Sequence, residues 1–206
     1  MRKLKFSYEK LLIFFGAIFC FGLIGHCIIS CNSCKKEKKQ EAVVEKAEIV
    51  LERVTSIDKE YMFANYGDYK WFESCIILDS YLDEENDGTI TGVSNVFQVI
   101  ARDFDTKVVL IAHTADTTAI EAKEHAFWVE DQPLNYEDIK ITFKEAYEKI
   151  NQVNFPKPHS KQVVLRKQLG PKACNPQYIF GNQKAQLYVD AVTGEVSETN
   201  PAFPEE

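Results

Sequence analysis

One segment has its secondary structure dictated at both ends. Thr142-Phe-Lys-Glu145 is a capping-box pattern, in which the Thr hydroxyl and the Glu carboxylate satisfy reciprocal backbone donors at a helix start. Phe143, Ala146, Tyr147, Ile150 and Val153 then fall on one helical face, and Pro156 and Pro158 stop the helix. The spacing predicts a helix over 142–152. The text on either side reads as strands, which makes this an α+β chain.

Ahead of that helix, strand character runs over 71–82, 93–101, 107–113 and 122–129, an antiparallel meander. Beyond it, strands are predicted over 162–169, 178–180 and 185–191, with a short return strand over 195–197. A helical stripe of Val43, Ala47, Val50, Val54, Ile57 and Tyr61 precedes the first meander, with a second N-cap available at Thr55-Ser56 to break it. Both halves therefore run from helix to strands. At a constant offset of 87, Cys75-Ile-Ile-Leu78 falls on Gln162-Val-Val-Leu165, Leu82 on Leu169 and Asp103-Phe-Asp-Thr106 on Asp190-Ala-Val-Thr193. Lys107 stands where the second copy has Gly194. Aliphatic strands also match by chance, so duplication and coincidence both stay open. The expected fold is a helix packed on an antiparallel sheet, as two tandem units over 43–135 and 136–206 if the duplication holds.

The N-terminus carries an address. A basic start, Met1-Arg-Lys-Leu-Lys5, leads into an apolar run over 11–29 that ends in Ile28-Ile-Ser-Cys31. An aliphatic residue three before a Cys, with a small residue directly before it, resembles the bacterial lipobox. That resemblance implies cleavage before Cys31 and a lipid on its thiol. The run is also long enough to be a membrane anchor; either way, residues from about 35 onward are expected outside the cytoplasm, tethered to a membrane. Residues 31–42 are polar and charged, a flexible tether. Residues 1–30 and 31–40 each carry a net +3, so the whole-chain −7 leaves −13 on residues 41–206. A body that acidic repels phosphate backbones and argues against nucleic acid as a partner.

Of the six cysteines, Cys20 and Cys27 precede the lipobox and Cys34 lies in the tether. An oxidising envelope permits a bridge between Cys75 and Cys174; two buried thiols are the alternative. The run Asp83-Glu-Glu-Asn-Asp-Gly88 places Asp83, Glu85 and Asp87 at the first, third and fifth positions of an EF-hand-like loop. Ser94 replaces the bidentate Glu at the twelfth, and Asn-Asp-Gly is also a hairpin turn. His113 lies near Asp116, and His125 near Glu121 and Glu124; His159 with Cys174 is the one conceivable thiol pair. No His-Glu-x-x-His or Gly-x-Ser-x-Gly motif is present. The chain reads as a non-enzyme without a cofactor.

Near the C-terminus, Tyr188-Val-Asp-Ala-Val-Thr-Gly-Glu-Val196 alternates as a half-buried strand and then reverses at Thr193-Gly194. Asp190 is expected to accept hydrogen bonds from the turn that follows. Together with Phe143-Lys-Glu-Ala146 and the strand over 162–169, this stretch resembles a PepSY domain, whose closing signature is Val-Asp-Ala-x-Thr-Gly-Glu-Val. The resemblance covers 141–196. It implies a helix on an antiparallel sheet, no catalytic residues, and a role in binding or restraining other envelope proteins, peptidases among them. Two functions follow as expectations. One is a lipid-anchored binding module of the cell envelope, acting in trans and, in a two-membrane cell, facing the periplasm. The other is an envelope metal- or small-ligand-binding protein built on the acidic loop 83–88.

Overall fold

The computed structural model describes residues 48–100, 106–114, 117–125 and 131–204. The lipobox with Cys31, the tether, the first turns of the predicted stripe at Val43 and Ala47, the run 103–105 and Asp116 lie outside the described residues. So do the side chains of Glu121 and His125. The chain order is α1 (Leu51–Tyr66), β1 (Tyr69–Leu78), β2 (Ile90–Ile100), β3 (Thr106–Thr114), β4 (Thr117–His125), a 3-10 turn at Tyr136–Asp138, α2 (Phe143–Gln152), β5 (Gln162–Arg166), β6 (Gln177–Asn182), β7 (Ala185–Asp190) and β8 (Val196–Ser197).

The capping box forms as the sequence predicts. Glu145 N donates to Thr142 Oγ1 at 3.2 Å, and Thr142 N donates to Glu145 Oε2 at 2.8 Å. Phe143, Ala146, Tyr147 and Ile150 are the buried face of α2. The first helix differs from expectation. It runs unbroken through Thr55 and Ser56, because the Thr55 side chain is buried and its hydroxyl accepts from Asn95 Nδ2 at 3.4 Å rather than capping a new helix. Gly67 ends it in a left-handed conformation, φ 77°, with its N–H on Phe63 O.

Among the described residues, the eight strands join one antiparallel sheet in the order β4-β3-β2-β1-β5-β6-β7-β8. The two meanders therefore meet at their first strands. Ile76 of β1 faces Val163 of β5, 87 positions on. Ile76 also pairs with Val93 of β2, as Val163 pairs with Phe180 of β6, and Val93 and Phe180 are again 87 apart. The offset holds no further: Val93 pairs with His113 of β3 but Phe180 with Leu187 of β7, only 74 apart. The β2–β3 hairpin is the longer one. The expected match of 103–106 to 190–193 fails for that reason, since Thr106 opens β3 whereas Thr193 follows β7.

Strand alternation divides the sheet into two faces. Ile76, Leu78, Val93, Phe97, Ile111, Val163, Leu165, Tyr178, Phe180, Leu187 and Val189 are buried on one of them. The Phe143 ring of α2 lies 6.2 Å from Tyr178 and 6.3 Å from Phe180 on this side. Glu73, Cys75, Ile77, Val164, Arg166, Ile179, Gln186 and Tyr188 alternate onto the other face.

Candidate functional site

The Asp190 turn is built as a hydrogen-bonded knot. Asp190 Oδ1 accepts from Val192 N at 2.8 Å and Thr193 N at 2.9 Å, while Oδ2 accepts from Asn175 Nδ2 at 3.0 Å and Gln177 Nε2 at 3.3 Å. Partial burial pulls this carboxyl upward, but the donors from Thr193, Val192, Asn175 and Gln177 outweigh it and hold Asp190 below the ordinary carboxylate range. Gly194 supplies φ 74°, its N–H reaching Asp190 O at 2.8 Å, and Thr193 Oγ1 accepts from Glu195 N at 3.2 Å. With both carboxylate oxygens engaged inside the fold, Asp190 is a structural group.

The acidic loop is bound up in the same way. Asp87 accepts from Thr89 Oγ1 at 2.6 Å and Thr89 N at 3.0 Å, bonds that lower its pKa. Asn86 Oδ1 takes Gly88 N at 3.1 Å and the Tyr147 hydroxyl of α2. Asp83 instead pairs with His159, each carboxylate oxygen 3.0 Å from Nδ1, and the imidazole stacks on Tyr81 with centroids 4.0 Å apart. Glu85 is exposed. Asp83, Glu85 and Asp87 do not converge, and among the described residues no three His, Cys, Asp or Glu side chains are grouped to hold a metal. Asp87 caps the loop's own backbone and Asp83 meets His159.

The expected disulfide is corrected. Cys75 and Cys174 are free thiols. Cys75 sits within β1 opposite Val164, where its sulfur accepts from Gln162 Nε2 at 3.4 Å. Cys174 lies in the β5–β6 connection and reaches Gln168 O at 3.8 Å. Burial pushes both thiols up, more than the Gln162 bond lowers Cys75 or the Lys167 charge lowers Cys174. His159, held by Asp83, is not joined to Cys174.

A buried polar network that the sequence reading missed links α1 to three strands. Asp58, fully buried on α1, accepts from Asn95 Nδ2 of β2 at 2.7 Å and lies 2.7 Å from His113 Nε2 of β3. Ser74 of β1 donates its hydroxyl to Asn95 Oδ1. His113 is thus held by a residue 55 positions earlier. Glu124, expected beside His125, accepts from Lys107 Nζ at 3.1 Å and the Tyr66 hydroxyl at 3.2 Å. Serine, histidine and aspartate are assembled here, but Ser74 bonds Asn95 and not His113, so the histidine is not placed to take its proton. One signal was legible. Ser74, Asn95 and His113 occupy inward strand positions next to Ile76, Val93 and Ile111, where apolar residues are the rule.

Comparison with protein-family models, with curated proteins and with solved structures returned no match.

Proposed function

We propose that this chain is a lipid-anchored protein of the cell envelope, built of two PepSY-like units and acting as a non-enzymatic binding module on another envelope protein, with peptidases among its targets. The observation that carries this reading is the arrangement of the two halves. Each contributes one helix followed by a four-stranded meander, and the meanders join at β1 and β5 about the pair Ile76 and Val163. The identical spacing of Val93 and Phe180 continues the correspondence into the next strands. Supporting it further, Asp190, Thr193 and Gly194 of the closing signature form a turn whose polar groups face inward on one another. The lipid on Cys31 and the tether over 31–42 supply the address.

The test is chemical crosslinking in intact cells with the full chain as bait, followed by identification of adducts. Recovery of a peptidase supports restraint of that enzyme. Recovery of transport or cell-wall components alone contradicts it, and recovery of nothing contradicts the binding role itself.

A further inference from the structure

The sheet face away from Phe143 and the Asp58 network holds a trough of about 580 Å³ whose charges are sorted by end. At one end Glu73 of β1 stands opposite Arg166 of β5. The guanidinium turns instead to Asp131, with Nη1 3.6 Å from Oδ2, and that pairing offsets its charge. Among the described residues, the Glu73 carboxylate has no hydrogen bond and no ion pair. Burial pushes this carboxyl up, with the Arg166 charge pulling the other way and Asp131 adding to the push. Glu73 is the uncompensated charge of that end.

The other end is cationic. Gln162, four residues before Arg166, opens β5 beside the β6–β7 turn, because Val163 pairs with Phe180 and β6 ends at Asn182. Lys184 stands exposed in that turn. Four residues of strand put the two ends roughly 13 Å apart, the reach of about four extended residues. Between them Val164 and Ile179 form an apolar floor, flanked by two amides that are each half used. Gln162 Nε2 donates to Cys75 Sγ at 3.4 Å, so its oxygen is left to accept. Gln186 Oε1 accepts from the Tyr188 hydroxyl at 2.5 Å, so its amide nitrogen is left to donate.

We propose that this trough binds a short peptide of about four residues with both termini free, its ammonium at Glu73 and its carboxylate at Lys184. Its side chains lie on Val164 and Ile179, while a main-chain N–H donates to Gln162 and a main-chain carbonyl accepts from Gln186. The opposed end charges select this occupant: a cation alone leaves Lys184 unmet, an anion alone leaves Glu73 unmet, and an uncharged segment leaves both. The site goes beyond the binding-module reading and needs no protein partner.

The probes are tetra-alanine with free termini, its N-acetyl form, its C-terminal amide and the doubly capped peptide. Each is titrated into the isotopically labelled full chain in detergent and followed by amide NMR. The free peptide should shift Val164, Ile179 and Gln186, and blocking either terminus should weaken it about tenfold or more. Glu73→Gln should weaken the free peptide by the same factor yet bind the N-acetyl peptide as the wild type does. Lys184→Gln, in an exposed turn, should do the converse, weakening the free peptide and leaving the C-terminal amide unchanged. No shift with the free peptide, equal binding of the free and doubly capped peptides, or unchanged affinity for the free peptide in either variant overturns the proposal. None of these outcomes touches the binding-module reading, which fails only if the full chain captures no envelope protein in cells.

Discussion

His113 Nε2 lies 2.7 Å from Asp58 Oδ1, and Asp58 has no solvent exposure. A carboxylate there is tolerable only because His113 and Asn95 both bond it. Asp58→Ala removes the partner of His113 and leaves Asn95 Nδ2 only its longer bond to Thr55 Oγ1 at 3.4 Å, and is expected to cost about 3–5 kcal/mol. The second half places Ala146 on the buried face of α2, and Leu187 pairs with Phe180 as His113 pairs with Val93. Asp58→Ala combined with His113→Leu should therefore lose less than the sum of the single losses, by about 0.5–3 kcal/mol. Urea unfolding of the four proteins checks this; additive losses would contradict it.

The turn gives a second expectation. Asp190→Ala, which removes an acceptor from four donors, and Gly194→Val, which forces a β-branched residue to φ 74°, should each cost about 1–2 kcal/mol. The sign of the pH effect follows from the lowered pKa of Asp190. A carboxyl lower in the folded state than its unfolded value of about 3.9 stabilises fully above that value and loses its contribution as pH falls through the folded one. The stability gap between the wild type and Asp190→Asn should thus be constant near neutrality and shrink below about pH 4. A gap that widens on acidification would refute the assignment.

How far each of these groups could be read from the sequence differs for physical reasons. The helix α2 was legible because its two signals, the Thr142–Glu145 box and the stripe ending near Pro156, are local. The helix-then-meander order of each half was legible from strand alternation. Alternation tells a strand which residues face inward but not which strand lies beside it, so the meeting of β1 with β5 had no local sign. The 87-residue offset matches the pairings of Ile76 with Val93 and of Val163 with Phe180 and is lost where the β2–β3 hairpin is longer. Asp58 escaped notice because its partners stand 37 and 55 positions away. The cysteines misled because the sequence gives their number and not their separation in the fold: Cys75 lies within β1 and Cys174 in the β5–β6 connection, both free.

The acidic loop should be indifferent to metal. Calcium or zinc titrated into the chain is expected to leave the melting temperature unchanged, because a ligand that binds only the folded state must raise it. A rise would support the metal reading. Gly88→Ala tests the loop's own structure: φ 79° and a Tyr147 ring carbon 2.8 Å from the added Cβ predict a loss of about 1–3 kcal/mol.

The thiols of Cys75 and Cys174 should react with a maleimide once the chain is unfolded without reductant, and slowly in the folded protein at neutral pH, since burial raises both. Peptide mapping that finds the two linked would contradict the free-thiol assignment.

The most direct test uses two exposed isoleucines of matched accessibility. Ile77 on the open sheet face is 41% exposed and Ile57 on α1 is 40% exposed. A photoreactive residue placed at each position in turn, in the full chain in living cells, separates recognition through the sheet from general adhesion. A discrete adduct to one envelope protein from position 77 and none from position 57 is the predicted result. No adduct from position 77, or equal adducts from both, would contradict a binding module that works through its sheet.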